Sequence, residues 1–412
     1  GLVPALRLGG TRRERPTDSA TKVACRHSRS GARAPSAGKH MNITIERAAL
    51  LKAIERVRGI VETRNTIPIL SNIKIEARGS ELIVTATDLD RQATATAPLS
   101  DLGGTGGAVT VPAATLYDLI RKVPEGAQIV MAMGDDPRLQ VKAGRSKFNL
   151  PILPADDFPE IPTDGLSDVV RIPAADIARI VDKAGFSMSS EEVRYYLQGV
   201  YLHVVQRGDA RFLRGVATDG SRMALADVPL PAGLEDMSGV IIPRKTVREM
   251  KRMADAGGEV EFRVSSEKVW IGADGASLIS KLIDGTFPDY VRVLPTNNEN
   301  IMTVERGLLR DAVDRVATIS TEKSRGVRFS LAPGRLVLTA RNMDAGQAVE
   351  EVEVDYDGAE IDFGLNARYT LAVLAQIDGQ KAEFRIDNAL TPILVLDPTD
   401  ENAQFVVMPL RM

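Results

Sequence analysis

The sequence predicts an α+β chain built from three copies of one domain, each combining antiparallel sheet with two helices. The first observation is repetition. Glu46–Val57 returns 259 residues later as Glu305–Val316 with six of twelve positions identical, and a weaker copy, Pro173–Ala184, begins 127 residues after the first. Ala86–Ala95 recurs after 131 residues as Ala217–Ala226, with six of ten identical. Repeats this long are whole domains, because solenoid units recur every 20–50 residues or so. The second observation is that each third alternates strand, helix, strands, helix, strands, which favours an antiparallel sheet with helices on one face. The third is punctuation: proline-rich links at 151–162 and 294–298 separate the copies.

In the first copy, Asn42–Ile45 reads as a strand and Glu46–Ile60 as an amphipathic helix, with Leu50, Ala53, Ile54 and Val57 as its apolar stripe. Strands are predicted at Ile73–Glu76 and Leu82–Thr87. Thr110–Pro112 leads into a helix at Ala114–Lys122, and strands follow at Gln128–Met133, Leu139–Ala143 and Lys147–Leu150. The second copy starts its first helix near Pro173, a favourable first-turn residue. Its second helix runs Lys245–Met253 after the strand Val240–Pro243. In the third, strands at Met302–Glu305, Val327–Leu331, Arg335–Ala340 and Gln404–Met408 flank a helix ending at Ala317 and another near Ala367–Gln376. The domain limits read as 41–165, 166–295 and 296–412, after a tail at 1–40.

That tail has nine Lys/Arg against Glu14 and Asp18 among Gly, Pro, Ser and Ala, a composition that cannot bury a core. It reads as an upstream extension or leader ahead of Met41. The tail carries +7, which leaves −10 for the rest of a chain of net charge −3. Hydrophobic content of 44% with 26% charged residues suits a globular protein, and no apolar run reaches the roughly 20 residues a bilayer needs. Cys25 is the one cysteine, and His203 the one histidine beyond the tail. Cys/His nucleophile pairs and thiolate or His-rich zinc sites are therefore excluded from residues 41–412.

Gly103–Gly107 lacks the Gly-Lys-Ser/Thr ending of a phosphate loop and precedes a strand, so it reads as a hairpin loop. Asp88 with Asp90, and Asp156-Asp157, could hold Mg²⁺, but the Thr-Asp pair recurs in two copies, which suits a repeated turn better. Lys52/Arg56 and Arg179/Lys183 are i,i+4 pairs at equivalent places on the first helices of copies one and two. In copy three Arg315 matches Arg56, while Asp311 replaces Lys52. Repetition of the basic pair suggests a surface facing something anionic, within a body that is acidic overall. Such a distribution suits a duplex threaded through a ring and centred by weak phosphate contacts. Arg194-Tyr195-Tyr196-Leu197 sets two aromatics beside a cation, and the C-terminal Val406–Met412 could close an apolar groove that accepts an extended peptide.

From Met41 onward the chain resembles the bacterial DNA polymerase III beta subunit family, the replication sliding clamps. The resemblance rests on Pro68–Asn72, Glu192–Gly199, Val216–Arg222, Ser280–Tyr290, Thr321–Arg328 and Val406–Arg411, which span all three copies. It implies a head-to-tail homodimer whose six domains close a ring around double-stranded DNA without sequence preference, with no catalysis, cofactor or metal. The implied partners are the replicative polymerase subunit, a clamp-loader ATPase and other clamp-binding-motif proteins, in the bacterial cytoplasm at the nucleoid. The DNA contacts it implies are Arg64, Arg194, Tyr195, Tyr196, Arg244 and Lys245. The peptide groove it implies comprises Leu197, Thr218, Gly220, Ser221, Arg222, Met223, Pro288, Arg292 and Val293. The third domain adds Asn366, Tyr369, Val406, Met408, Pro409 and Arg411. Ser221 stands where relatives have histidine, which implies a smaller wall. The ring interface would pair Phe148 and Leu150 with Thr318 and Ile319 of the partner subunit. A different class, an enzyme using carboxylates and arginine in an interdomain cleft, is disfavoured by the missing Cys and scarce His.

Overall fold

A computed structural model describes residues 41–62, 66–101, 106–134, 136–320 and 325–411. Three copies of one order follow each other. The first is β1(Met41–Glu46), α1(Arg47–Val57), β2(Asn72–Arg78), β3(Glu81–Thr87), β4(Arg91–Pro98), β5(Gly107–Pro112), α2(Ala113–Lys122), β6(Gln128–Met133), β7(Arg138–Ala143) and β8(Ser146–Pro151). The second comprises β9(Val170–Pro173), α3(Ala174–Gly185), β10(Gly199–Arg207), β11(Ala210–Thr218), β12(Arg222–Pro229), β13(Val240–Pro243), α4(Arg244–Ala254), β14(Glu259–Val264), β15(Lys268–Ala273) and β16(Ala276–Lys281). The third comprises β17(Asn300–Glu305), α5(Arg306–Ala317), β18(Gly326–Ala332), β19(Arg335–Asn342), β20(Gly346–Glu353), β21(Ile361–Asn366), α6(Ala367–Leu374), β22(Lys381–Ile386), β23(Ile393–Asp397) and β24(Asp400–Val407).

Helix starts follow local chemistry. The Glu46 carboxylate accepts the Ala49 N–H at 3.0 Å, and Glu305 accepts from Gly307 and Leu308, so each caps its helix rather than joining it. The first helix therefore begins one residue later than the periodicity predicts, and it ends at Val57 rather than Ile60. α2, α3 and α4 each start directly after a proline, and Asn366 caps α6. α1 buries Leu50, Ala53, Ile54 and Val57, the predicted stripe. Sequence reading missed β4, whose Arg-Gln-Ala-Thr-Ala-Thr-Ala-Pro alternates alanine with threonine. Its buried face is Ala93, Ala95 and Ala97, small residues that give only a faint hydrophobic signal. A similar close approach brings Ile180 of α3 onto Gly215, where a Cβ would stand 2.3 Å from the isoleucine side chain.

All pairing among the described strands is antiparallel. The sheets do not respect the domain boundaries. Strands of the first and second copies form one eight-stranded sheet, β5-β2-β3-β4-β16-β15-β14-β9, and the second and third share β13-β10-β11-β12-β24-β23-β22-β17. Two four-stranded sheets remain, β1-β6-β7-β8 and β20-β19-β18-β21. After the last strand of each copy the chain pins itself to that copy's other sheet, through Leu153 with Thr110, Ile283 with Ile241, and Leu410 with Gly364. One apolar cluster runs through the first two copies, and a second fills the third copy with Ala224 from β12.

The recurring Thr-Asp segment is a turn repeated in detail. Asp88 Oδ1 accepts the N–H groups of Asp90 and Arg91, and Asp219 Oδ1 accepts those of Ser221 and Arg222. Leu89 and Gly220 occupy matching left-handed positions, with φ of 77° and 88°. These carboxylates are committed to turns and to Arg91 and Arg222, and the described residues contain no acidic, His or Cys cluster able to hold a metal.

Candidate nucleic-acid interface and peptide groove

The basic pairs on the first helices are spent at domain joints. Lys52 reaches Asp274 Oδ2 at 3.3 Å, and Arg56 binds the same aspartate. The hydrogen bond from Lys52, with the Arg56 charge beside it, holds the Asp274 carboxyl below the usual carboxylate range. One copy on, Arg179 forks onto both oxygens of Asp400 at 2.7 and 2.8 Å. Lys183 binds the Gln376 carbonyl and Asp378 Oδ2. Lys183 is 6% exposed, so it is buried against the third domain. The expectation that Arg179 and Lys183 line an open anionic-ligand face is therefore corrected. Their spacing puts both on one side of α3, but that side meets the next domain.

An open cationic stripe lies on α4 instead. Lys245, Arg248 and Arg252 are exposed at i, i+3 and i+7, along one helix face. Lys245 bonds Glu62 Oε1 at 2.5 Å, lowering that carboxyl, while Arg248 makes no ion pair with a described residue. Arg252 donates to the Arg56 and Glu55 carbonyls at the end of α1. Arg244 is half-buried; burial, with the Arg248 and Arg222 charges nearby, presses its guanidinium below the ordinary value. The resemblance named Arg244 and Lys245 and left Arg248 and Arg252 unnamed, although their spacing was available.

Arg64 lies outside the described residues. Arg194 bonds Glu191 at 2.7 Å and packs against Gly220, where a Cβ would stand 2.6 Å from its guanidinium. Tyr195 is 51% exposed, whereas Tyr196 packs on an apolar cluster and meets Tyr195 edge-on at 5.7 Å. The two tyrosines thus differ in role, and Leu197 after them is buried.

That cluster is the floor of the candidate groove. Leu197, Met223 and Val406 pack with Val216, Leu225, Ile241, Phe287, Tyr290 and Leu394. Val293 and the Arg292–Asp289 pair are exposed beside it, and Pro288 precedes that pair. Arg222 is the wall. Its guanidinium donates to Asp219 and to the Phe186 carbonyl at 2.8 Å, and lies 4.7 Å from the Tyr369 ring centre and 5.2 Å from that of Phe186. Thr218 fixes the same turn by donating to the Arg222 carbonyl. The Met408 N–H donates to the Ser221 carbonyl at 2.9 Å, joining the C-terminal segment of Met408, Pro409 and Arg411 to the second domain. Asn366 caps the helix that bears Tyr369. Of the residues expected at a ring interface, Phe148 is exposed on β8 whereas Leu150 on the same strand is buried in the first domain's own core, and Thr318 and Ile319 directly follow α5.

Beneath this floor sits a polar network that sequence reading did not find, because its members are scattered from 203 to 290. His203 stacks on Tyr201 at 4.5 Å between ring centres, and its Nε2 meets the Tyr290 hydroxyl at 3.0 Å. Arg214 bonds Tyr290 and the buried Asp227, which also pairs with Arg207. Burial, then the Arg214 charge, lowers the His203 pKa from 6.5 to about 4. A histidine kept neutral by the fold gives stability that is complete above its unfolded pKa and is lost as pH falls from about 6.5 towards 4. Chemical denaturation of a His203→Gln variant should therefore show a shallower loss between those values, by up to about 1.4 kcal/mol per pH unit. Equal slopes for the two proteins would contradict this.

The sequence and structure agree with known proteins over residues 41–411. Models of the DNA polymerase III beta subunit match as N-terminal domain at 41–162, central domain at 171–289 and C-terminal domain at 291–411. The beta sliding clamp of Caulobacter vibrioides is 52% identical over 378 residues, covering 90% of this chain and 100% of that protein. The crystal structure of the Caulobacter crescentus DNA polymerase sliding clamp superposes with a TM-score of 0.87 at 51% identity, over 90% of this chain and 100% of that one. The Bartonella birtlesii sliding clamp, solved bound to griselimycin, gives 0.87 at 38% identity with the same coverage. With three clamp domains in the same order and all three domain models matched, the chain belongs to the DNA polymerase III beta subunit family of sliding clamps.

Proposed function

We propose that two copies of this chain close head to tail into a ring that encircles duplex DNA and tethers a polymerase to it. The observation that carries this reading is the unequal fate of equivalent sheet edges. β4 pairs with β16 and β12 pairs with β24, joining successive domains. The remaining equivalents, β8 at one end of the chain and β20 at the other, are edge strands. An unpaired edge is a template for another strand, and a repeat that has joined itself twice supplies the geometry for a third joint.

Side-chain size supports the same register. Leu278 faces Ala93 at the first joint and Phe405 faces Ala224 at the second. Carried round by the repeat, these registers set Phe148 opposite Ala348 of the partner subunit and Lys147 opposite Val349 of the partner subunit. Each joint then has a large side chain over an alanine. Charge supports it too, with reversed polarity. Both internal joints set helix cations against an acidic hairpin. In the third copy α5 carries Asp311 where α1 has Lys52, and β20 has Glu350, Glu351 and Glu353, while the turn before β8 offers Arg145 and β8 itself Lys147. Reversal keeps the end surfaces from imitating an internal joint.

The boundaries 41–165, 166–295 and 296–412 follow from the same repeat. DNA would meet Arg194, Tyr195, Arg244, Lys245 and the α4 stripe. The groove floored by Leu197, Met223 and Val406, with Arg222 as wall, would take an extended peptide from the polymerase, the clamp loader or other clamp-binding proteins. The family acts as a processivity factor without chemistry of its own, in the bacterial cytoplasm.

In a Cys25→Ser background, Lys147→Cys with Val349→Cys should form an intersubunit disulfide on mild oxidation, read as a covalent dimer on non-reducing gels. Cysteines at 147 and 353 should not, and the opposite pattern would overturn the register. Loaded on nicked circular DNA, the protein should stay bound through gel filtration and be lost when the circle is linearised. Equal loss from both forms would defeat the ring. Arg222→Ala should weaken a polymerase-derived peptide by at least about tenfold, the cost of roughly 1.4 kcal/mol, with the sedimentation of the dimer unchanged. Calorimetry showing unaltered peptide affinity would remove Arg222 from the groove.

A further inference from the structure

We propose that Arg58, laid on the ring of Tyr117 and flanked by Arg121, is a phosphodiester-binding fork that extends the α4 cation stripe onto the first domain. This rests on the reading of the chain as a clamp around duplex DNA. Arg58 follows the last turn of α1, and its guanidinium carbon stands 3.9 Å from the centre of the Tyr117 ring on α2; that of Arg121 stands 5.6 Å away. The Tyr117 hydroxyl donates to Glu55 Oε1 at 3.3 Å, which fixes the ring. A cavity of about 560 Å³ opens here, lined by both arginines, the tyrosine, Gly59 and Ser71.

Charge accounting singles out Arg58. The acidic neighbours are occupied: Glu62 by Lys245, Asp118 by Arg121, Glu55 by the tyrosine. The Arg58 side chain is exposed and, apart from its stacking on Tyr117, makes no hydrogen bond or ion pair to a described residue. Stacking uses the face of a guanidinium and leaves its N–H edge free, in a planar fork that matches two phosphate oxygens. The ring also holds the long side chain in place, so less freedom is lost when an anion binds. Continuity with α4 points to a DNA backbone rather than a free anion. Gly59 lies beside Arg252 and Glu249, with room for little more than hydrogen: a Cβ would stand 3.3 Å and 2.8 Å from them. Arg252, which pairs with Glu249, thus adjoins the residue after Arg58, and with Arg248 one turn earlier on α4 it carries the cations to the boundary between the first two domains.

The test is fluorescence anisotropy of a labelled linear duplex with the full chain across a salt series. Arg58→Ala should lower affinity about fivefold at low salt and reduce the slope of log affinity against log salt by about one. Tyr117→Leu, which keeps the charge but frees the arginine, should lower affinity about twofold with the slope nearly unchanged. Thermal midpoints and sedimentation check the fold, and Arg58→Gln repeats the charge loss with more of the stem retained. If both Arg58 variants match the parent in affinity and slope while Arg248→Ala lowers both, the fork is refuted and the clamp reading stands. If Arg248→Ala also changes nothing, the DNA-facing reading fails and takes the fork with it.

Discussion

At each internal boundary a large apolar side chain from one domain settles over an alanine on the edge strand of its neighbour, Leu278 over Ala93 and Phe405 over Ala224. Strand pairing supplies the direction of the joint, and this contact fixes its register, because a slip of one residue would turn every side chain to the other face. Five residue pairs per joint make a short ladder. The sheet does not stop where the domain does, so neighbouring domains cannot swing freely. The helices inherit their placement from these joints. α1 and α3 meet the following domain, which leaves the exposed face of α4 open as the cationic surface.

Electrostatics then divides the basic residues into two populations. Lys52, Arg56, Arg179 and Lys183 secure joints; Arg58 and Arg248 make no ion pair with a described residue. Exposed pairs such as Lys52–Asp274 contribute at most about 1 kcal/mol each. The partly buried Arg179–Asp400 fork and the buried Lys183 matter more through what breaking them would leave behind, an unpaired charge against apolar surroundings. A count of Lys and Arg on helices overstates the charge available to a nucleic acid.

The repeat, the element order and most helices were legible in the sequence because they depend on local signals: apolar spacing at 3.6 residues, a proline at a helix start, an identical Thr-Asp-x-x-Arg turn. β4 was not, because alanine and threonine alternate with little contrast in hydrophobicity and the reason for alanine, a helix lying close above, is tertiary. The resemblance named Leu197, Met223 and Val406, which pack in one apolar cluster. The support of that cluster at His203, Arg214, Asp227 and Tyr290 was not legible, since nothing in the sequence brings those four together. Arg179 and Lys183 failed for the same reason: periodicity identifies a helix face but not what it meets.

Few unpaired cations along the α4 face are what a mobile ring requires. Were the first-helix cations also free, the summed phosphate contacts would release more counterions and hold the duplex tightly, with affinity falling steeply in salt. Committing those cations to the joints does two things at once. It stiffens the boundaries that closure depends on, and it lowers the grip on the threaded duplex. The preference for arginine at the remaining open positions fits this division. A stacked or helix-anchored guanidinium can pass from one phosphate to the next with its geometry preserved, while persistence on DNA is left to the closed circuit of sheets.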